Sequence, residues 1–190
     1  MDAYQTLSLP RSAALVEETL HKAYAEKSRA AHPDHGGSDE QAAAVNAAYE
    51  MLKAPEKRLK HLLEIAAPED AKAWRTVPMD DGMMALFSQL GKALDASGRF
   101  LEKKGKAQSA LAKALLANEE MQQREVLEGI GFELENRRGE MEARLPGLDE
   151  TLSEGSAGTG TWKELALMQA RFAYLARWQA QVRERLLALM

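Results

Sequence analysis

Cysteine is absent from the 190 residues of the chain. That excludes disulfides, thiolate nucleophiles, zinc ribbons and cysteine-ligated clusters, and it fits a reducing compartment. Aromatic residues are scarce, at 6%, and β-branched residues are few, so little material exists for a sheet core. The opening MDAYQTLSLPRS has no apolar signal-peptide core, and no stretch approaches a membrane span. A cytoplasmic location without membrane contact is expected. Nor is there an excess of charge of one sign. Residues 1–74 carry 9 basic and 12 acidic groups, and residues 75–190 carry 16 and 17. Neither half is the basic block that nucleic-acid binding calls for. What remains is rich in Ala and Leu, 45% hydrophobic and 28% charged, the composition of an all-α globular protein.

Leu15, Val16, Leu20, Ala23 and Tyr24 recur at helical spacing. They predict a helix over about residues 12–31 with Ser12 as its N-cap. The helix must stop before Pro33, because a residue preceding proline is pushed out of the α region. His32-Pro33-Asp34-His35-Gly36-Gly37 then reads as a turn in which proline fixes φ and the glycines free the backbone beyond it. Ser38 with Gln41 spells a capping box for the next helix. Val45, Ala48, Tyr49 and Leu52 form the apolar face of that helix. Pro55 suits the first turn of a further helix that turns Leu59, Leu62 and Leu63 inward.

Residues 67–78 read as a linker, with Trp74 expected to pack between the two halves. Beyond it, Met83, Leu86 or Phe87, Leu90, Leu94, Ser97 and Leu101 trace one helical stripe. A second helical region runs over about residues 106–145, where Gly129, Gly131 and Gly139 mark a bend or close packing. PGLDETLSEGSAGTGT, residues 146–161, is too polar and glycine-rich to build a core and predicts a mobile loop. Thr161 with Glu164 spells another capping box. Leu165, Met168, Phe172, Leu175, Gln179, Val182 and Leu186 then form a seam of alternating three and four spacing. That seam closes within the chain or pairs two chains. Trp178 lies off it and is expected to be partly exposed. Residues 79–190 thus predict an antiparallel bundle of about three helices.

Taken together, residues 1–66 resemble a J-domain. The resemblance rests on Tyr4 and Leu7, on Tyr24 eight residues before His32-Pro33-Asp34, on Asn46-Ala47-Ala48-Tyr49, and on Lys57-Arg58 after Pro55. It implies an N-terminal helical hairpin that docks on a DnaK-type chaperone and stimulates its ATPase, with no active site, cofactor or metal of its own. The contact residues implied are His32, Pro33 and Asp34 in the turn, with Lys22, Arg29 and His21 on the preceding helix. Proline rigidity lowers the entropy lost on docking, and a carboxylate such as that of Asp34 can accept a charge-assisted hydrogen bond from an arginine. Lys22 and Arg29, seven residues apart, share one face. Ala25 and Glu26 stand where many J-domains are basic, and Glu26 can pair with Lys22 or Arg29. A weaker, less salt-sensitive chaperone contact is therefore expected. As a metal site, the two histidines His32 and His35, with Asp34 between them, have no third strong ligand and read as solvent-exposed.

The order of parts, a J-domain followed by a helical bundle with no Gly/Phe-rich or Cys-rich segment, is similar to the HscB family. LKAPEKRLKHLLEI and the closing RFAYLARWQAQVRERLL carry that similarity. It implies delivery of an iron–sulfur scaffold protein as client, through residues early in the bundle. The candidates are Met83, Met84, Phe87, Leu90 and Leu94, although bundle core is the better reading of Met83, Met84 and Phe87. Few acids accompany them, whereas the family mixes apolar and acidic residues there. The alternative in another class is a helical interaction or structural protein whose J-like domain no longer engages a chaperone.

Overall fold

The computed structural model describes residues 1–67, 79–153 and 158–190, whose regular structure is all helix with no strand. The expected linker beyond Ala67, with Trp74, lies outside the described residues. No described helix is long and apolar enough to cross a membrane.

The contacts form two compact bodies. One gathers the described residues of 1–77 with 141–173, and the other those of 78–140 with 174–190. The first opens on α1 (Ala3–Thr6), whose N-terminus is capped by Asp2. A hairpin of α2 (Glu17–Ala31) and α3 (Asp39–Lys53) follows, then α4 (Pro55–Ala66) with Pro55 in its first turn. α1, α2 and α4 all pack against α3. The Ser38/Gln41 capping box forms as the sequence predicts, with the two reciprocal hydrogen bonds each at 3.2 Å. α2 begins at Glu17 rather than near residue 12, after an extended Val16 that offers no side-chain cap. Ser12 is otherwise engaged. Its hydroxyl donates to Asp149 and its carbonyl accepts from the Tyr4 hydroxyl at 2.8 Å.

Asp149 lies on α8 (Leu145–Ser153), a helix where the sequence predicts a polar loop. Three apolar residues overrule that composition. Leu145 is fully buried, and Leu148 and Leu152 pack against the core of the first body. Leu165, Met168 and Phe172, from the first half of α9 (Thr159–Ala188), enter the same cluster as Tyr4, Leu7, Leu52 and Leu59. The expected break between an N-terminal domain and residues 79–190 is therefore not where contacts divide, because segment 141–173 joins the first body. α9 also starts earlier than expected. The Thr161 N–H already bonds to the Gly158 carbonyl at 3.0 Å, so Thr161 sits inside the first turn and cannot act as its cap.

The second body is built on α5 (Asp81–Lys106), α6 (Ala110–Leu115), α7 (Ala117–Glu142) and the second half of α9. The stripe Met83, Leu86, Leu90, Ser97 is buried, together with Phe100. The region over 106–145 is two helices: α6, capped by Ser109, ends at its C-cap Leu116, and α7 follows at once. α7 runs unbroken through its glycines, and a Cβ on Gly131 would meet Val182 of α9 at 3.5 Å, an ordinary packing contact, so neither a bend nor close packing requires glycine there. The seam of α9 is consumed inside the chain. Leu175, Gln179 and Val182 are buried in this body. Trp178 is buried as well, against the expectation of partial exposure, because Phe87 and Tyr174 stack beside it with centroids 5.6 and 6.0 Å away.

Candidate functional site

The turn between α2 and α3 is built by its own backbone. His32 is extended (φ −69°, ψ 137°), which ends α2 ahead of Pro33 as the proline rule requires. The His32 carbonyl then accepts from the N–H groups of His35 (2.9 Å) and Gly37 (3.1 Å), closing a 3₁₀ turn over Pro33–His35. Gly36 has φ +86°, a conformation glycine adopts without strain. Gly37 is required for a different reason, since a Cβ there would lie 2.1 Å from the Ala31 carbonyl oxygen. Gly37→Ala is expected to destabilise by about 1–3 kcal/mol through forced backbone movement, and to displace the turn. A urea melt and loss of amide-exchange protection at residues 35–37 would show it.

His32 Nδ1 accepts the Asp34 N–H at 3.2 Å and lies 3.6 Å from Asp34 Oδ2. A neutral His32 in this arrangement carries its proton on Nε2. The Asp34 carboxylate is 83% exposed. A rigid hydrogen-bonded backbone thus holds an open carboxylate at the tip of a helical hairpin.

The hairpin is braced by the two tyrosines. Tyr24 and Tyr49 stack at 4.2 Å, and the Tyr24 hydroxyl donates to Asn46 Oδ1 at 2.8 Å. His21 contacts the Tyr49 hydroxyl at 3.2 Å and lies 3.4 Å from Glu17. Lys22, Glu26 and Arg29 are exposed on α2. The expected pairing of Glu26 does not occur, since no ion pair within 4 Å joins it to Lys22 or Arg29 among the described residues. At an exposed helix surface such a pair gains only a few tenths of a kcal/mol, too little to fix long side chains.

At the other end of the hairpin lie polar groups whose role the sequence conceals. Arg58, part of the Lys57-Arg58 pair, is buried. Its guanidinium donates to the carbonyls of Ala13 (3.0 Å) and Leu52 (2.8 Å). Asp149 accepts the Ala13 N–H at 2.6 Å. Burial pushes the Tyr4 phenol up. His61 is also buried, accepts the Ala3 N–H at 3.0 Å and stacks near Tyr4. Partial burial would raise the Asp2 carboxyl, but hydrogen bonds from Arg11 and from the Gln5 and Tyr4 amides outweigh it and hold it below its usual range. Nothing in the local sequence pattern separates Arg58 from the exposed Lys57 beside it.

The five bundle residues divide. Met83 and Leu90 are core and cannot touch a partner. Met84 and Phe87 are each 50% exposed, with Phe87 lying over Trp178, and Leu94 is half-buried. Among the described residues, no group of three or more His, Cys, Asp or Glu could hold a metal ion.

Residues 2–61 match the DnaJ domain family. These residues form a DnaJ domain. Over 60 residues the chain is 43% identical to a tetratricopeptide repeat and J domain-containing co-chaperone of Cryptococcus neoformans. That match covers 32% of this chain and 11% of the fungal protein, so the two share only a small part of the fungal protein's length. The whole fold is similar to the chaperone HscB from Vibrio cholerae, with a TM-score of 0.57 and 18% identity over 100% of both chains. It is also similar to the human co-chaperone HscB, with a TM-score of 0.52 and 16% identity over 97% of this chain and 84% of that one. The DnaJ domain here is thus carried on an HscB-like fold.

Proposed function

We propose that this protein is a co-chaperone. Its DnaJ domain docks the His32-Pro33-Asp34 turn on a DnaK-type chaperone and favours the hydrolysis-competent state of that partner. The observation that carries this reading is the open Asp34 carboxylate on a turn whose backbone is already ordered. Such a group docks with little entropy loss and can accept a charge-assisted hydrogen bond from an arginine. Lys22 and Arg29 supply electrostatic steering from the same hairpin. His21 contributes by holding the Tyr49 hydroxyl. The protein catalyses nothing itself and works in the cytoplasm. Single-turnover ATP hydrolysis by a cognate DnaK-type chaperone, with and without the full chain, tests the reading. Absence of any stimulation would favour the alternative, a helical interaction protein with a J-like domain, which the exposed Glu26 between Lys22 and Arg29 supports.

The steering face is small. Stimulation is therefore expected to fall only severalfold between about 50 and 200 mM salt, because few charges are brought together and screening acts on each. A steep loss over that range would contradict this.

The client is proposed to be an iron–sulfur scaffold protein, held at Met84 and Phe87 with Leu94 beside them. Met83 and Leu90 support that surface from beneath. A thioether and an aromatic ring at half exposure suit an adaptable interface. Phe87→Asp in the full chain should weaken binding of a purified scaffold protein by about tenfold or more, since burial of such a side chain is worth about 1.5–3 kcal/mol. Calorimetric titration reads this directly. Tight binding that is indifferent to Met84→Asp and Phe87→Asp would displace the site.

A further inference from the structure

Within the second body, a groove runs between α7 and α9 that neither the turn nor the client site uses. Its volume is about 280 Å³, and Gly131, Val182 and Leu186 form its apolar wall. Four polar side chains also line it, Glu128 and Glu135 from α7 and Gln179 and Arg183 from α9. Gln179 is only 7% exposed. Its amide nitrogen donates to Glu135 Oε2 at 2.8 Å, which fixes the orientation of the amide and leaves its carbonyl oxygen as an acceptor. Among the described residues that oxygen has no hydrogen-bond partner, and it is not sealed from solvent. A largely buried amide with one end unpaired costs free energy until a donor meets it. The carboxylates are also uncommitted. Among the described residues no ion pair engages Glu128 or Glu135, and none joins Arg183 to either. Phe132 stands on the rim. It follows Gly131, shares a helix face with Glu128 and Glu135, and is 70% exposed.

We propose that this groove docks a partner polypeptide through an arginine side chain, with an apolar residue beside that arginine resting on Phe132. The acceptors select the arginine. Glu128, Glu135 and the Gln179 carbonyl offer several points of attachment, and a guanidinium presents its donors as a fixed fork. Its aliphatic stem suits the wall of Val182 and Leu186 while the charged head reaches the carboxylates. Two carboxylates against Arg183 alone leave the groove negative, which favours a cation and rejects an acidic segment. Phe132 favours a polypeptide, because a free small cation would leave that ring uncovered. One groove and one ring make a weak, exchangeable contact, with a Kd on the order of 100 μM.

NMR titration of the isotope-labelled full chain with the peptide GSRLLSG tests this. The expected result is movement of the Gly131 and Val182 amide signals and of the Gln179 side-chain amide, saturating in that range. A peptide with citrulline in place of arginine keeps the shape and removes the charge, and it should bind about tenfold more weakly or worse. Glu128→Gln should weaken the native peptide about as much, and Phe132→Ser should weaken it severalfold. Glu140→Gln makes the same change of charge on α7 away from the groove and should leave binding as it is. Circular dichroism checks that each variant is folded. No movement of these signals up to about 10 mM peptide overturns the proposal. So does a citrulline peptide that binds equally well, or arginine amide alone binding as tightly as the peptide, which would make the groove a small-cation site. Movement of the same signals with protein concentration alone would assign the groove to a second copy and overturn it too. Neither chaperone nor scaffold protein is present, so the co-chaperone reading is judged separately.

Discussion

Asp34→Asn is expected to abolish most of the stimulation of a DnaK-type ATPase while leaving the fold as it is. The substitution keeps the shape of the side chain and removes only its charge. In the free protein that carboxylate is 83% exposed, with His32 Nδ1 3.6 Å away. An exposed contact of that length contributes little to stability, so the change on unfolding should stay within about 0.5 kcal/mol. The bond that holds the turn in register uses the Asp34 backbone N–H, which asparagine retains. On the partner the balance differs. A charge-assisted hydrogen bond lost at an interface costs about 1.5–3 kcal/mol, which is a tenfold to hundredfold weaker contact. Single-turnover hydrolysis as a function of co-chaperone concentration measures this. Stimulation that survives in the asparagine variant, with an unchanged melt, would remove Asp34 from the mechanism.

The second large effect concerns stability. Phe172→Ala is expected to destabilise the body that contains the DnaJ domain by about 3–5 kcal/mol, although the substitution lies more than a hundred residues beyond that domain. Phe172 is 2% exposed and shares one buried cluster with Tyr4, Leu52 and Leu59. Removing the ring leaves a cavity in a core of modest size. The same reasoning applies to a fragment of residues 1–66. It would lose the cover of Leu145, Leu165, Met168 and Phe172 and the hydrogen bonds that Asp149 makes to Ser12 and Ala13. The fragment should unfold at lower urea than the full chain and bind a hydrophobic dye. Urea melts monitored by Tyr24 and Tyr49 fluorescence compare all three. A fragment as stable as the full chain would show that α8 and α9 cover the DnaJ domain without supporting it.

These two expectations divide along what local sequence can and cannot specify. The Asp34 argument was open to reading from residues close together in the chain. A proline ends α2, a glycine supplies the positive φ at residue 36, and Ser38 with Gln41 starts α3. Each rule acts over four or five residues and needs no tertiary partner. Helical periodicity likewise marked the Met83–Leu90 stripe and the α9 seam, because a helix buries one face whatever it packs against.

The failures come from partners distant in sequence. The expected cap at Ser12 gave way to Asp149, 137 residues on. α8 formed in a segment whose composition argues for a loop, because Leu145, Leu148 and Leu152 found a core made by the first 66 residues. Trp178 is buried because Phe87 and Tyr174 lie beside it. Arg58 and Lys57 are alike in charge, yet only Arg58 has the carbonyls of Ala13 and Leu52 within reach.

What the amino-acid sequence by itself determined is the helical class, the DnaJ turn and the residues that shape it, since those depend on backbone sterics and on periodicity. What only the tertiary structure decided is which apolar residues remain open. Met83 and Met84 are adjacent and chemically the same, but one is core and the other half exposed. Their separation follows from the 100° between neighbours on a helix and from where α7 and α9 lie, and only packing settles the second of these.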